Sequence, residues 1–187
     1  MNDKNFIENY FDIFLKKALN SYIYKELIIL KNMIIQTKKK NGKVILTGNG
    51  GSSAIASHIS VDLNKAVGIK SMNFNEYDLI TCLSNDFGYE NWVAKALDYH
   101  LDKNDLTIII SSSGNSQNLI NAAKLIRKRK NKLVTLTGFS KKNKLSKYSS
   151  LSLWVDSKAY NIVENTHQLW LTLVCDLIIG KIEYKSS

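Results

Sequence analysis

The chain has no proline and only two cysteines in 187 residues. The missing proline points to no function, and turns must be marked by other residues, Asn41-Gly42 being the first clear case. Cys82 and Cys175 lie far apart and form no C-x-x-C pattern. That argues against a catalytic role for either, and both read as reduced, buried thiols. Long apolar runs are also absent. Spanning a bilayer takes roughly 18 or more such residues, and the strand-like run 106–110 is far shorter, so no membrane partner is expected. The opening Met1-Asn2-Asp3-Lys4-Asn5 lacks the basic-then-apolar pattern of a secretory signal, and the expected location is cytoplasmic. Repeats, linkers and low-complexity tracts are missing too. The expectation is one domain over 1–187, with a helical pair over 1–40 and an α/β core over 41–187.

Acidic residues are scarce. There are 16 against 26 lysines and arginines, for a formal net charge of +10. Much of the excess lies in Lys38-Lys39-Lys40, in Arg127-Lys128-Arg129-Lys130 with Lys132, and in Lys141-Lys142 with Lys144. Such clusters can bind nucleic acid, but these carry no interleaved aromatics and fall at helix ends or in loops. Cations at helix C-termini suit the helix dipole, so nucleic acid is not expected as a partner. A positive field would still draw in an anionic substrate.

What is present has globular composition, 44% hydrophobic and 22% charged. Phe6, Tyr10, Phe14 and Ala18 mark one face of a first helix, and Ile23, Leu27, Leu30 and Ile34 one face of a second. Short β-rich runs at 43–47, 70–74, 106–110, 132–137 and 151–156 read as strands. Helical patterns fill the intervals, to about Val67, then at 78–84, 89–101 and 118–130, with Leu119, Ala122, Ala123 and Ile126 inward on the last of these. A final helix covers about 162–179, with Leu169, Leu173 and Leu177 on its core stripe. The run 106–110 is continuously apolar, as a strand buried on both faces requires. Strands alternating with helices predict a doubly wound, mostly parallel α/β sheet flanked by helices, flavodoxin- or Rossmann-like, behind an N-terminal helical pair. Ligands of such sheets bind beyond the carboxyl ends of the strands.

Two loops occupy that position. Ser111-Ser112-Ser113-Gly114-Asn115-Ser116 follows the buried strand and opens a helix. Backbone N–H groups at a helix start favour an anion, and four serine hydroxyls add donors where a helix cap needs one. Gly48-Asn49-Gly50-Gly51-Ser52 repeats the arrangement after the first strand. It departs from the dinucleotide pattern G-x-G-x-x-G, with Ser53 in the sixth position, and no acidic residue ends the second strand to hold a ribose.

With His58 in the following helix, Asn85-Asp86-Phe87-Gly88, and Val134-Thr135-Leu136-Thr137-Gly138, these pieces in this order resemble the sugar isomerase (SIS) domain family. The likeness is to its phosphoheptose (sedoheptulose 7-phosphate) isomerase branch, of which the chain reads as a divergent member. The resemblance implies the SIS fold and a homotetramer with active sites between subunits. It implies phosphate contacts from Ser52, Ser111, Ser112, Ser113 and Ser116, and sugar contacts from Asn49, Gly50, Gly51 and Asp86. It implies enediol chemistry on a phosphorylated sugar, in heptose or related surface-polysaccharide (lipopolysaccharide or capsule) precursor synthesis. The alternative it leaves open is a non-catalytic or regulatory phosphosugar-binding domain.

The pattern breaks in the catalytic helices. The branch carries His and Glu four residues apart after the first loop, and here the pair is His58 and Asp62. The branch has Gln near the start of the last helix and His eight residues on, and here these are Glu164 and Thr172. His167 lies one turn beyond Glu164. The catalytic candidates are therefore Asp62, Glu164 and His167. No cofactor is required by this chemistry. Some members of the branch bind zinc at these positions, and His58, Asp62 and Glu164 are the possible ligands here. Trp92 and Trp154 read as packing residues, and Lys158 as a possible contact to an anion.

Overall fold

A computed structural model describes residues 2–19 and 22–183. Helices α1 (Asp3–Ala18) and α2 (Ile23–Lys39) precede strand β1 (Val44–Gly48), helix α3 (Gly51–Lys65) and strand β2 (Ser71–Asn73). Helices α4 (Tyr77–Phe87) and α5 (Trp92–His100), strand β3 (Leu106–Ser111), helix α6 (Gln117–Lys128) and strand β4 (Lys132–Thr137) follow. Strand β5 (Leu151–Trp154) and helix α7 (Tyr160–Ile179) complete the order. The five strands lie in the order β2-β1-β3-β4-β5, and every pairing is parallel. The chain reverses its winding between β1 and β3, which are neighbours in register from Val44↔Leu106 to Gly48↔Ile110. In a sheet of this order, that switch point is where a ligand crevice opens.

The pleat divides the core in two. Val44 and Leu46 of β1 and Leu106, Ile108 and Ile110 of β3 face a cluster with Leu27, Leu30 and Ile34 of α2, Ile55, Ile59 and Leu63 of α3, and Trp170 and Val174 of α7. Ile45 and Ile109 face the opposite cluster, with Trp92 and Leu97 of α5 and Leu119, Ala123 and Ile126 of α6. Successive strand residues point to opposite faces, so a strand covered on both sides is mostly apolar, with Thr47 and Thr107 the buried polar exceptions in the middle of β1 and β3. All residues of β1 and β3 are buried.

Three expectations need correction. Leu169, Leu173 and Leu177 are 37–38% exposed, and the buried stripe of α7 is Val163, Thr166, His167, Trp170, Leu171, Val174 and Cys175. This helix is apolar on more than one side, so its periodicity alone could not choose the inner face. Trp170 fixes the choice, since its Nε1 donates to the carbonyl of Ala18 (3.0 Å) and docks α1 on α7. The expected inner face of α1 is buried only at Ala18, whereas Phe6 is 60% exposed. Cys82 is exposed and only Cys175 is buried. The α1 face thus leaves Phe6, Ile7, Phe11 and Leu15 in solvent.

Candidate active site

The loops after β1 and β3 meet at the switch point and form a cleft of about 300 Å³. Its lining is Asn49, Gly50, Gly51 and Ser52 from the first loop, Ser111, Ser112, Ser113 and Ser116 from the second, and Tyr160 and Glu164 from α7. Three helix N-termini open onto it. The N-caps are Gly50 for α3, Ser116 for α6 and Ala159 for α7, and none makes a side-chain capping bond. None of the three helices carries an acidic residue in its first turn. Each helix start contributes roughly half a positive charge, although at α3 the Ser52 and Ser53 N–H groups already donate to the carbonyls of Asn49 and Gly50 (3.1 and 3.0 Å). A cleft with three such ends, five serine hydroxyls and no lysine or arginine in its lining has the chemistry that suits an anion.

Local geometry shapes the serine loop, where the Asn115 N–H donates to the Ser113 hydroxyl (3.2 Å). Gly114 (φ +62°) turns the chain after β3, and its N–H donates back to the Ser111 carbonyl (3.1 Å). A Cβ at Gly114 would fall 2.4 Å from Asn143, so both conformation and space select glycine. Gly50 (φ +55°) makes the equivalent turn before α3. The Ser112 hydroxyl is buried and finds no hydrogen-bond partner among the described residues. An unmet buried hydroxyl costs about 1–3 kcal/mol, a cost that a bound anion in the cleft would relieve.

Asn118 was not among the sequence candidates, yet it joins the two loops. Its amide exchanges hydrogen bonds with that of Asn49 (3.0 and 2.9 Å), and the residue is 2% exposed. Tyr160 was missed as well. It stands at the mouth of the cleft with its ring edge-on to Phe139 (4.8 Å between centroids). The available signals were a polar residue two positions into the helix after the serine loop and an aromatic at the start of the last helix.

The catalytic candidates do not converge. Glu164 faces the cleft, its carboxylate packed over Gly51 at the start of α3. Asp62 pairs with His58 (Oδ2 to Nε2, 3.2 Å), and both line a different cavity with Thr172, Cys175 and Asp176. The Thr172 hydroxyl is turned onto its own helix, toward the Gln168 and Leu169 carbonyls. His167 is fully buried, with Nε2 3.2 Å from the Thr137 carbonyl. Burial pushes its pKa down to about 4, against the raising effect of that hydrogen bond. The carbonyl can only accept, so Nε2 carries the proton and the ring is a neutral structural group. Burial, with the nearby charges of Asp62 and Asp176, pushes the Cys175 thiol up to about 12, which leaves it unreactive near neutral pH.

The donor set suggested for zinc is likewise divided, with His58 and Asp62 in one cavity and Glu164 in the other. Among the described residues no three His, Cys, Asp or Glu side chains are placed to hold a metal ion. The residues present do not fit that group. Asp86 sits in α4 outside the lining of the cleft, its carboxylate accepting from the Asn85 amide (3.0 Å). Lys158 is exposed and lies outside the lining too.

Residues 15–138 match the SIS domain family. Phosphoheptose isomerases of Helicobacter pylori (strain HPAG1) and Aliarcobacter butzleri are each 30% identical to the chain, over 81% and 80% of it and 82% of either relative. A solved phosphoheptose isomerase from Francisella tularensis superposes with a TM-score of 0.87 at 23% identity, covering 97% of this chain and 100% of that one. At that identity the superposition speaks for the fold.

Proposed function

Because the chain belongs to the SIS domain family, in its phosphoheptose isomerase branch, we propose that the cleft at the β1/β3 switch point binds the phosphate of a sugar and that the protein interconverts the aldose and ketose forms of that sugar phosphate. The substrate is a heptose 7-phosphate of the sedoheptulose type, serving surface-polysaccharide precursor synthesis in the cytoplasm. The observation that carries the reading is the meeting of three uncapped helix N-termini and the hydroxyls of Ser52, Ser111, Ser112, Ser113 and Ser116 in one cleft. Asn49, Gly50 and Gly51 border the sugar. Asp86 reaches it only from α4 of another copy, which fits a homotetramer whose interfaces cover the apolar α1 face. The chain folds as one domain around a single sheet.

The reaction needs no redox partner. A base takes the C1 proton of the open-chain ketose. The C2 oxygen gains a proton as the enediol forms. The O1 proton then leaves and C2 is protonated, giving the aldehyde. Glu164 is the base in this reading, because it is the only carboxylate in the lining of the cleft. Its carboxylate lies over Gly51, the first residue of α3. The phosphate at the serine loop fixes the far end of the chain, so the C1–C2 end reaches the base within hydrogen-bond distance, roughly 2.6–3.2 Å. Asp62 with His58 forms a second polar centre one helix face away. His167, held neutral in the core, positions β4 against α7.

The test is turnover of sedoheptulose 7-phosphate by the wild type and by Glu164→Gln. The reading expects turnover that falls at least a hundredfold in the variant with substrate still bound. Tight binding by the wild type without turnover would instead mark a phosphosugar-binding domain, a reading that the inward-turned Thr172 hydroxyl favours.

A further inference from the structure

At the opposite end of the sheet lies a second, larger cavity of about 610 Å³. It is separated from the serine cleft by the length of β3, six residues or roughly 20 Å. Lys40 from the end of α2, Lys103 and Asn104 from the α5–β3 loop, Arg129 and Lys130 from the α6–β4 loop and Lys132 at the start of β4 surround it. Met33 and Leu106 add apolar surface.

Cations at helix C-termini ordinarily need no ligand to explain them, so their number must be weighed against what the helix ends require. The helices α2 and α6 finish at this end, and each C-terminus presents roughly half a negative charge. Lys38 and Lys39 in the last turn of α2, with Arg127 and Lys128 in that of α6, already meet this demand. The carboxylates nearby are also satisfied. Asp105, the one acid in the lining, is bound by the Lys43 ammonium (2.6 Å) and by the N–H groups of Lys43 and Asp102. Asp98 is paired with Arg129. Lys40, Lys103, Lys130 and Lys132 make no ion pair among the described residues, although they surround one cavity. Lys130 is also held in the left-handed region (φ +60°), where glycine or asparagine is the usual residue.

We propose that this cavity is a second anion site, taking a small molecule that carries a diphosphate. Four unbalanced ammonium groups from three separate segments suit a ligand of more than one negative charge. The Asn104 amide, which donates to the Lys40 carbonyl (3.0 Å), ties two of those segments together. No aromatic side chain lines the cavity, and it is bounded on several sides, which suits a compact anion better than a nucleic-acid strand.

Calorimetry on the full chain with inorganic pyrophosphate and with ADP tests this. Pyrophosphate reports the charge alone, and ADP adds a base and ribose. Three variants are compared with the wild type: Lys130→Glu with Lys132→Glu, Lys130→Gly, and Ser111→Ala with Ser113→Ala. The glycine variant removes the charge while supplying the residue that this backbone favours, so loss of folding cannot explain its effect. Hydrogen bonds to charged groups are among the stronger ones, so the double reversal should weaken pyrophosphate at least about tenfold and Lys130→Gly by less. Added salt should weaken it further. The serine variant should keep the pyrophosphate-binding component that the lysine variants lose, and sugar-phosphate turnover should be unchanged in both lysine variants. Equal affinity in the wild type and the charge-reversed protein would overturn the proposal. So would loss of pyrophosphate binding in the serine variant, or binding of a short DNA duplex in place of either small anion.

Discussion

Adding one methyl group at Gly51 should separate catalysis from stability. Gly51 is the first residue of α3, and a Cβ built there would lie 2.4 Å from Oε2 of Glu164, 2.8 Å from its Cδ and 3.0 Å from Oε1. The nearest of these is roughly 1 Å inside ordinary van der Waals contact, about 3.5 Å. The obstructing atoms are the end of a flexible side chain, so the carboxylate yields and the backbone does not. Alanine within a helix is favoured over glycine by about 0.5–1 kcal/mol, and Gly51 has no positive φ to oppose that gain. Gly51→Ala should therefore melt at or slightly above the wild-type temperature. A base moved by about 1 Å can lose about a hundredfold in rate, so kcat should fall by about that factor. On the proposed reading four of the five phosphate-binding hydroxyls come from the serine loop, away from Gly51, so KM should change by no more than a few-fold. Gly48→Ala is the contrast, since its Cβ would meet the backbone of Ser52 at 2.8 Å and should destabilise the fold. Thermal melts with steady-state kinetics on both variants decide the matter. Wild-type kcat in a well-folded Gly51→Ala protein would refute the placement of Glu164 at the reacting carbons.

Three further outcomes follow from the same geometry. Ser111→Ala with Ser113→Ala should lose about tenfold or more in phosphosugar affinity, since each hydroxyl to a charged phosphate contributes about 1.5–3 kcal/mol, and unchanged calorimetric affinity would remove the phosphate assignment. The pKa of His167 is lowered from 6.5 to about 4 in the fold, so below 6.5 the unfolded chain binds a proton that the folded one refuses. Stability from this group is present above pH 6.5 and declines as pH falls toward 4. Melting temperature should show that decline, and His167→Gln should flatten it, whereas equal slopes would contradict a neutral buried ring. On the proposed homotetramer the exposed Phe6, Ile7, Phe11 and Leu15 of α1 meet a partner copy, so light scattering at micromolar concentration should give about four times 21.2 kDa, and a monomer mass would refute the assembly.

The parallel sheet and the two loops that line the cleft were legible because each has a local signature. A strand covered on both faces is mostly apolar, as 106–110 is apart from Thr107, and a serine cluster after it exceeds what a helix cap requires. Eight of the nine residues named for substrate binding line one cleft, whereas Asp86 does not. The inner face of α7 was misread because leucines surround that helix, and the choice was made by Trp170 meeting Ala18, which lies 152 residues earlier. His167 looked like a substitute base from its spacing to Glu164. A helix turn separates their positions along the axis, but the rotation of α7 sends one side chain to the cleft and the other into the core. Asn118 escaped notice because its partner, Asn49, is distant in sequence, and only the β1/β3 pairing brings the two amides together.

Proton exchange tests the central claim most directly. Purified protein incubated with sedoheptulose 7-phosphate in heavy water should place deuterium at C1 of the ketose or C2 of the aldose, detectable even when net turnover is slow. The account predicts incorporation by the wild type and at least a hundredfold slower incorporation by Glu164→Gln. Incorporation at the wild-type rate by that variant would move the base away from Glu164, and tight binding without any incorporation by the wild type would contradict the isomerase itself.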